Sequence, residues 1–150
     1  MSYSIESYGE REPRRRKVPK PKKVKAASVL SEASEQALVF QWAEWMRQKF
    51  PELWMLYHVP NGGSRNPIEA VHLKAQGVKA GVPDICLPVP RGGYHGLYIE
   101  MKRREKFHVS KEQKEWILAL IKQGYKARVC LGAEDAIMEI TKYLKQGEKK

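Results

Sequence analysis

Asp84, Glu100 and Lys102 are the residues of this 150-residue chain whose types and spacing are best suited to chemistry. Asp84 follows Gly81-Val-Pro83 and leads into an apolar run, Ile85-Cys-Leu87. Glu100 and Lys102 stand two apart in Leu97-Tyr-Ile-Glu-Met-Lys102, just after a Gly-rich turn. Side chains alternate along a strand, so Tyr98, Glu100 and Lys102 share one face and Leu97, Ile99 and Met101 take the other. Alone, Glu100-x-Lys102 reads as an ion pair on the solvated face of an amphipathic strand. Asp84 changes that balance, because an acid entering a buried apolar strand needs a partner or a metal. Two carboxylates converging across a hairpin hold a hard cation such as Mg²⁺ through oxygen. A lysine beside them meets a phosphate or an attacking water. In so basic a chain the combination points to metal-dependent nuclease chemistry.

These side chains need a frame. Ser31 is a suitable N-cap for a first helix over about 32–50, with Leu38, Trp42, Trp45 and Met46 forming its apolar face and Pro51 closing it. The aromatic-rich segment Leu53–Val59 reads as a strand, followed by the loop Pro60-Asn-Gly-Gly-Ser-Arg65. A second helix is expected over about 67–76, with Pro67 in its first turn and Gly77 past its end. Strands follow over Asp84–Val89 and Leu97–Lys102. Ser110-Lys-Glu-Gln113 is a capping-box pattern starting a helix that ends near Gly124. Lys126–Leu131 is a fourth strand and about 134–145 a last helix. The order αβαββαβα predicts an α/β fold with a mixed four-stranded sheet flanked by helices.

The net charge is +11, with nine Lys or Arg against three Glu in residues 1–30. That stretch, with Pro13, Pro19, Pro21 and the run Arg14-Arg-Arg-Lys17, reads as a disordered basic arm ahead of a folded domain over 31–150. Such a surplus suits polyanion binding, although a plain solubility tail has the same composition. No stretch of about eighteen apolar residues is present, and no secretory leader, so no membrane span is expected and a cytoplasmic site is. Cys86 and Cys130 lie in apolar strand-like segments and are expected reduced and buried. The four histidines are scattered, so no zinc site is expected.

Other positions carry two readings each. Glu35 is either an acid directed at the site or a first-turn Glu complementing the helix dipole, with Glu32 a competing choice. Gln113 either closes the capping box or faces the active site; one side chain is not expected to do both fully. The loop Asn61, Gly62, Gly63, Arg65 is a plain turn or a phosphate contact through exposed backbone N–H groups. Lys79, Arg103, Arg104, Lys106 and Lys111 form a solvated face or, collectively, a DNA-binding rim. Trp42 and Trp45 belong to the core or a subunit interface, and Tyr94 and His95 at the hairpin tip are exposed candidates for DNA contact.

Gly81-Val-Pro-Asp84 followed by Ile99-Glu-Met-Lys102 resembles the PD-(D/E)xK nuclease motif. Together with Glu35, the Asn61-Gly-Gly loop, Gly77, Ser110 and Gln113, the chain is similar to the VRR-NUC domain within that superfamily, over about residues 32–145. The resemblance implies a restriction-endonuclease-like core hydrolysing DNA phosphodiesters with Mg²⁺, for which Mn²⁺ substitutes, and with no zinc or organic cofactor. It implies Asp84, Glu100 and the Met101 backbone carbonyl as metal ligands, Glu35 as a direct or water-mediated one, Lys102 orienting the attacking water, and Gln113 positioning the lysine or a water. Small phage and bacterial relatives imply a homodimer on branched DNA, resembling Holliday-junction resolvases, in a bacterial cell or phage-infected host. A flap or single-strand nuclease is the alternative within that chemistry. A non-catalytic nucleic-acid-binding module is the alternative outside it, and a basic assembly protein would explain the arm but not the acids.

Overall fold

The computed structural model describes residues 30–61 and 66–147. Helix α1 spans Glu32–Met46 and is capped by Ser31, whose hydroxyl accepts from the Ser34 backbone N–H at 3.1 Å. Strand β1 is Tyr57–His58, helix α2 Pro67–Ala75, strand β2 Ile85–Leu87 and strand β3 Leu97–Lys102. Helix α3 spans Lys111–Lys122, strand β4 Lys126–Leu131 and helix α4 Gly132–Leu144. The sheet runs β1-β2-β3-β4, antiparallel across the first two pairs and parallel between β3 and β4. This is the expected mixed α/β sheet. The connection from β3 to β4 passes through α3, as a parallel pair requires.

The aromatic segment before β1 departs from the expectation. Pro51–Met55 forms a 3₁₀ turn, and only Tyr57–His58 pairs as strand. Pro51 fixes a helical φ at the first position, and Leu53 and Leu56, three apart, are the residues the turn buries. The apolar face expected on α1 is also displaced. The helix buries Glu35, Val39 and Ala43, whereas Trp45 is 88% and Leu38 40% exposed. The fully buried row therefore follows the i, i+4 spacing of Glu35, Val39 and Ala43, with Trp42 and Met46 half-buried against the core as expected and Leu38 and Trp45 outside it.

Leu97, Ile99 and Met101 of β3 pack with Val39, Ile140 and Tyr143 in one core on the α1/α4 face of the sheet. β3 is an inner strand, and its second face is covered as well: Glu100 is 1% and Lys102 8% exposed. The solvated strand face allowed by the sequence pattern is absent. Cys86 and Cys130 are free and buried.

Candidate active site

The β2–β3 register sets the geometry. Ile85 lies opposite Ile99, Cys86 opposite Tyr98 and Leu87 opposite Leu97. One step further along the same antiparallel register, Asp84 faces Glu100, and directly opposed strand residues put their side chains on the same face. The hairpin thus brings the two acids together. Its tip, with the exposed Tyr94 and His95, lies at the far end of both strands, away from the acids.

Asp84 is held on all sides. Its Oδ2 accepts from the Met101 backbone N–H at 2.8 Å, and its Oδ1 accepts from Asn61 Nδ2 at 3.2 Å. Asn61 Nδ2 also donates to the Val82 carbonyl. The Asp84 carbonyl accepts from the Val59 N–H at 2.8 Å and from His58 Nδ1 at 2.7 Å. A carbonyl only accepts, so that contact places the proton on Nδ1. Asn61 is expected at the substrate, and its amide here orients Asp84. No sequence pattern distinguishes these two uses of an asparagine before Gly-Gly. Gly62, Gly63 and Arg65 lie outside the described residues.

Glu100 is the most perturbed acid. Its Oε1 takes both the Lys102 ammonium at 3.0 Å and a hydrogen bond from Gln113 Nε2, while Oε2 is buried without a partner among the described residues. Burial first, and then the neighbouring Asp84 charge, push its pKa up to about 7, against the pull of Lys102. Glu32 adds a smaller push in the same direction, and its Oε1 accepts from the Arg103 backbone N–H at 3.4 Å. Glu32, rather than Glu35, is therefore the α1 acid felt by Glu100.

Glu35 is engaged elsewhere. Leu131 at the N-cap of α4 offers no side-chain cap, and Glu35 Oε2 accepts from the Ala133 N–H there at 2.7 Å. Its Oε1 lies 3.8 Å from Arg104 Nε. A carboxylate at a helix N-terminus meets orphan N–H groups and the positive dipole end, which accounts for its burial. Arg104, expected on a DNA rim, is paired with Glu35 and Glu134. Lys111 pairs with Glu115 at 3.8 Å along α3, and all five rim residues, Lys79, Arg103, Arg104, Lys106 and Lys111, are exposed.

Gln113 overturns an either-or expectation. The Ser110 backbone N–H donates to Gln113 Oε1 at 2.9 Å, and the Gln113 N–H donates to Ser110 Oγ at 3.2 Å, closing the capping box. The other end of the same amide reaches Glu100. An amide carries an acceptor and a donor on separate atoms, so one side chain serves both roles. The approach is fixed by Gly81, at φ +85, where a Cβ would lie 2.7 Å from Glu112 atoms of α3 and 2.9 Å from the Gln113 nitrogen.

Among the described residues no three His, Cys, Asp or Glu side chains gather to hold a metal. The donor set nonetheless fits a hard divalent ion. Mg²⁺ is bound by one or two carboxylates with waters and substrate phosphates completing its shell. Asp84 and Glu100 supply two carboxylates, and the unpartnered Glu100 Oε2 is a buried acceptor in want of a cation. One lysine does not neutralise two acids with Glu32 nearby.

A sequence model of the VRR-NUC domain matches residues 24–134. The chain belongs to the VRR-NUC family. Its structure is similar to a solved structure described as a VRR_NUC domain protein, with a TM-score of 0.68 and 38% identity, covering 79% of this chain and 92% of that one. Among curated proteins none matches this chain. As a VRR-NUC domain it is a nuclease-type domain whose substrate is DNA and whose family generally uses divalent metals.

Proposed function

We propose that this VRR-NUC protein is a metal-dependent DNA endonuclease whose centre is Asp84, Glu100 and Lys102. The observation that carries the reading is the buried Glu100, facing Asp84 in register, with one oxygen on Lys102 and the other unpartnered. Asp84, Glu100 and the Met101 carbonyl would hold Mg²⁺, or Mn²⁺ in its place. The ion supplies an acidified water and an offset for the charge developing on the scissile phosphate.

The chain's own groups do the rest. Asn61 and the Met101 N–H fix both oxygens of Asp84, so the carboxylate does not swing away when the ion is lost. Gln113 fixes Glu100 through α3. Lys102 stands at the acids as a compact point charge that orients the attacking water and stabilises the pentacoordinate phosphorus. Glu32 is the acid on α1 in reach of this field, and it takes the supporting place that the resemblance gave to Glu35. Branched DNA is the substrate in this reading, cut by a homodimer whose twofold axis suits paired symmetric incisions. Lys79, Arg103 and Lys106 are its exposed backbone contacts.

The test compares the wild type with Asp84→Ala and Lys102→Ala on a four-way junction, a flap, a linear duplex and a single strand, with and without Mg²⁺. The wild type should cut the junction only with metal, and Asp84→Ala should cut nothing. Lys102→Ala should fold and gain stability from Mg²⁺ while losing about 10²-fold or more in turnover, as removal of one electrostatic stabiliser does. Cutting that persists in Asp84→Ala would remove the site assignment. A wild type inert on every substrate would remove the enzyme.

A further inference from the structure

The α1/α4 pair carries a groove of about 790 Å³ lined by Leu38, Trp42 and Trp45 of α1 and by Ile137 and Met138 of α4. Trp45 is 88%, Met138 59% and Leu38 40% exposed, and a contiguous apolar patch of this kind marks a surface that something covers. We infer that the groove is the docking site of this chain's own first eight residues, held there by Tyr3, Ile5 and Tyr8. The inference goes beyond the nuclease reading and needs neither metal nor DNA.

The charges around the groove argue against nucleic acid as its occupant. Arg104 is paired with Glu35 and Glu134, and Glu44 with Arg47 at 2.9 Å. Among the described residues the lining therefore offers no free cation to a phosphate, while its apolar side chains suit a peptide segment.

The chain supplies such a segment and keeps it within reach. Residues 1–29 precede the described ones. Four of the first eight, Met1, Tyr3, Ile5 and Tyr8, are apolar or aromatic, whereas residues 9–25 hold only Val18 and Val24 of that kind among nine Lys or Arg. That composition reads as an anchor followed by a tether. The tether ends at the head of the very row of α1 that lines the groove, since Ser31, Ser34, Leu38, Gln41 and Trp45 recur at three- and four-residue spacing. At about 1.5 Å per residue, Trp45 lies about 21 Å along the helix from Ser31. As a random coil, residues 9–30 reach about 26 Å on average, at ~5.5 Å times the square root of their number. A tether matched to its span gives an effective concentration of about 1 mM, so a segment binding at about 0.1 mM as a free peptide is seated about nine-tenths of the time. A second copy at about 1 µM is about a thousandfold more dilute, which favours the chain's own segment.

The test uses the full chain without metal or DNA. Cys86 and Cys130 are buried, so Ser2→Cys takes a nitroxide at a single position. The Trp45 indole N–H and Met138 methyl signals should lose most of their intensity to the nitroxide, while the indole signal of Trp116 on α3 keeps its own. Tyr3→Ser, Ile5→Ser and Tyr8→Ser together should restore the lost signals. Met138→Lys should restore the Trp45 signal with the melting temperature unchanged, because that side chain is mostly exposed. Full intensity at Trp45 in the wild type, or broadening that survives the triple variant, would overturn the inference. So would broadening that arises only when nitroxide and isotope label sit on different molecules, or a sedimentation dimer that Met138→Lys splits, since either gives the groove to a second copy.

Discussion

Removing the charge of Glu100 should stabilise the metal-free protein at alkaline pH. Glu100→Gln keeps the shape and the hydrogen bond from Gln113, but not the carboxylate buried beside Asp84. In the folded chain the Glu100 pKa rises from 4.5 to about 7, because burial and Asp84 both oppose ionisation. An acid whose folded pKa lies above its unfolded one is protonated in the folded state while the unfolded chain has already released its proton. Unfolding then releases a proton, so stability falls as pH rises between the two values and levels off above the higher one. At about 1.4 kcal/mol for each unit, the wild type in EDTA should lose about 3 kcal/mol between pH 4.5 and about 7 that Glu100→Gln does not lose. Urea denaturation of both proteins in EDTA across pH 4 to 8 measures it as the difference between the two curves, which cancels the other titrating groups. Adding Mg²⁺ at pH 8 should stabilise the wild type and leave Glu100→Gln unmoved, since a ligand stabilises only the state that binds it. Parallel pH profiles, or a variant less stable than the wild type at pH 8, would refute the account of Glu100 as an acid waiting for a cation.

Two further substitutions separate roles that share one residue or one contact. Gln113→Glu retains the acceptor of the capping box but replaces the donor facing Glu100 with a like charge, so helix content and melting should hold near the wild type at pH 5 while junction cutting drops about 10²-fold; cutting at the wild-type rate would reduce Gln113 to a cap. Gly81→Ala places a methyl against Glu112 and Gln113 at a positive φ, and should cost about 1–3 kcal/mol in denaturation with a larger proportional fall in turnover as α3 moves off Glu100; an Ala variant as stable as the wild type would mean that the α3 approach tolerates displacement.

The Gly-Val-Pro-Asp and Glu-x-Lys segments, the capping box and the strand periodicities are local patterns, and local patterns are what a sequence displays. They were enough for the order of elements, for β3 and β4 to the residue, and for the pairing of Asp84 with Glu100 across a hairpin. Long-range competition decided the rest. On α1, the position that accepts burial is set by how closely α4 approaches, which favours Val39 and Ala43 over the more apolar Leu38 and Trp45. In the segment 53–59, aromatic content suggested a strand, but Pro51 and the spacing of Leu53 and Leu56 made a turn.

The choice between Glu32 and Glu35 shows most clearly what needed three dimensions. Both are acids in the first turn of one helix, and helix geometry alone turns them to different sides without saying which side is the site. A helix start nearly a hundred residues away, uncapped at Leu131, draws Glu35 to the Ala133 N–H and leaves Glu32 as the helix acid whose charge reaches Glu100. The sequence by itself determined where two carboxylates and a lysine could meet, because strand alternation and a short hairpin bring Asp84, Glu100 and Lys102 to one face. Tertiary structure decided which acids join it, which only support the frame, and that a single glutamine amide does both, since unpaired backbone groups and buried charges are satisfied by whatever lies near in space rather than in sequence.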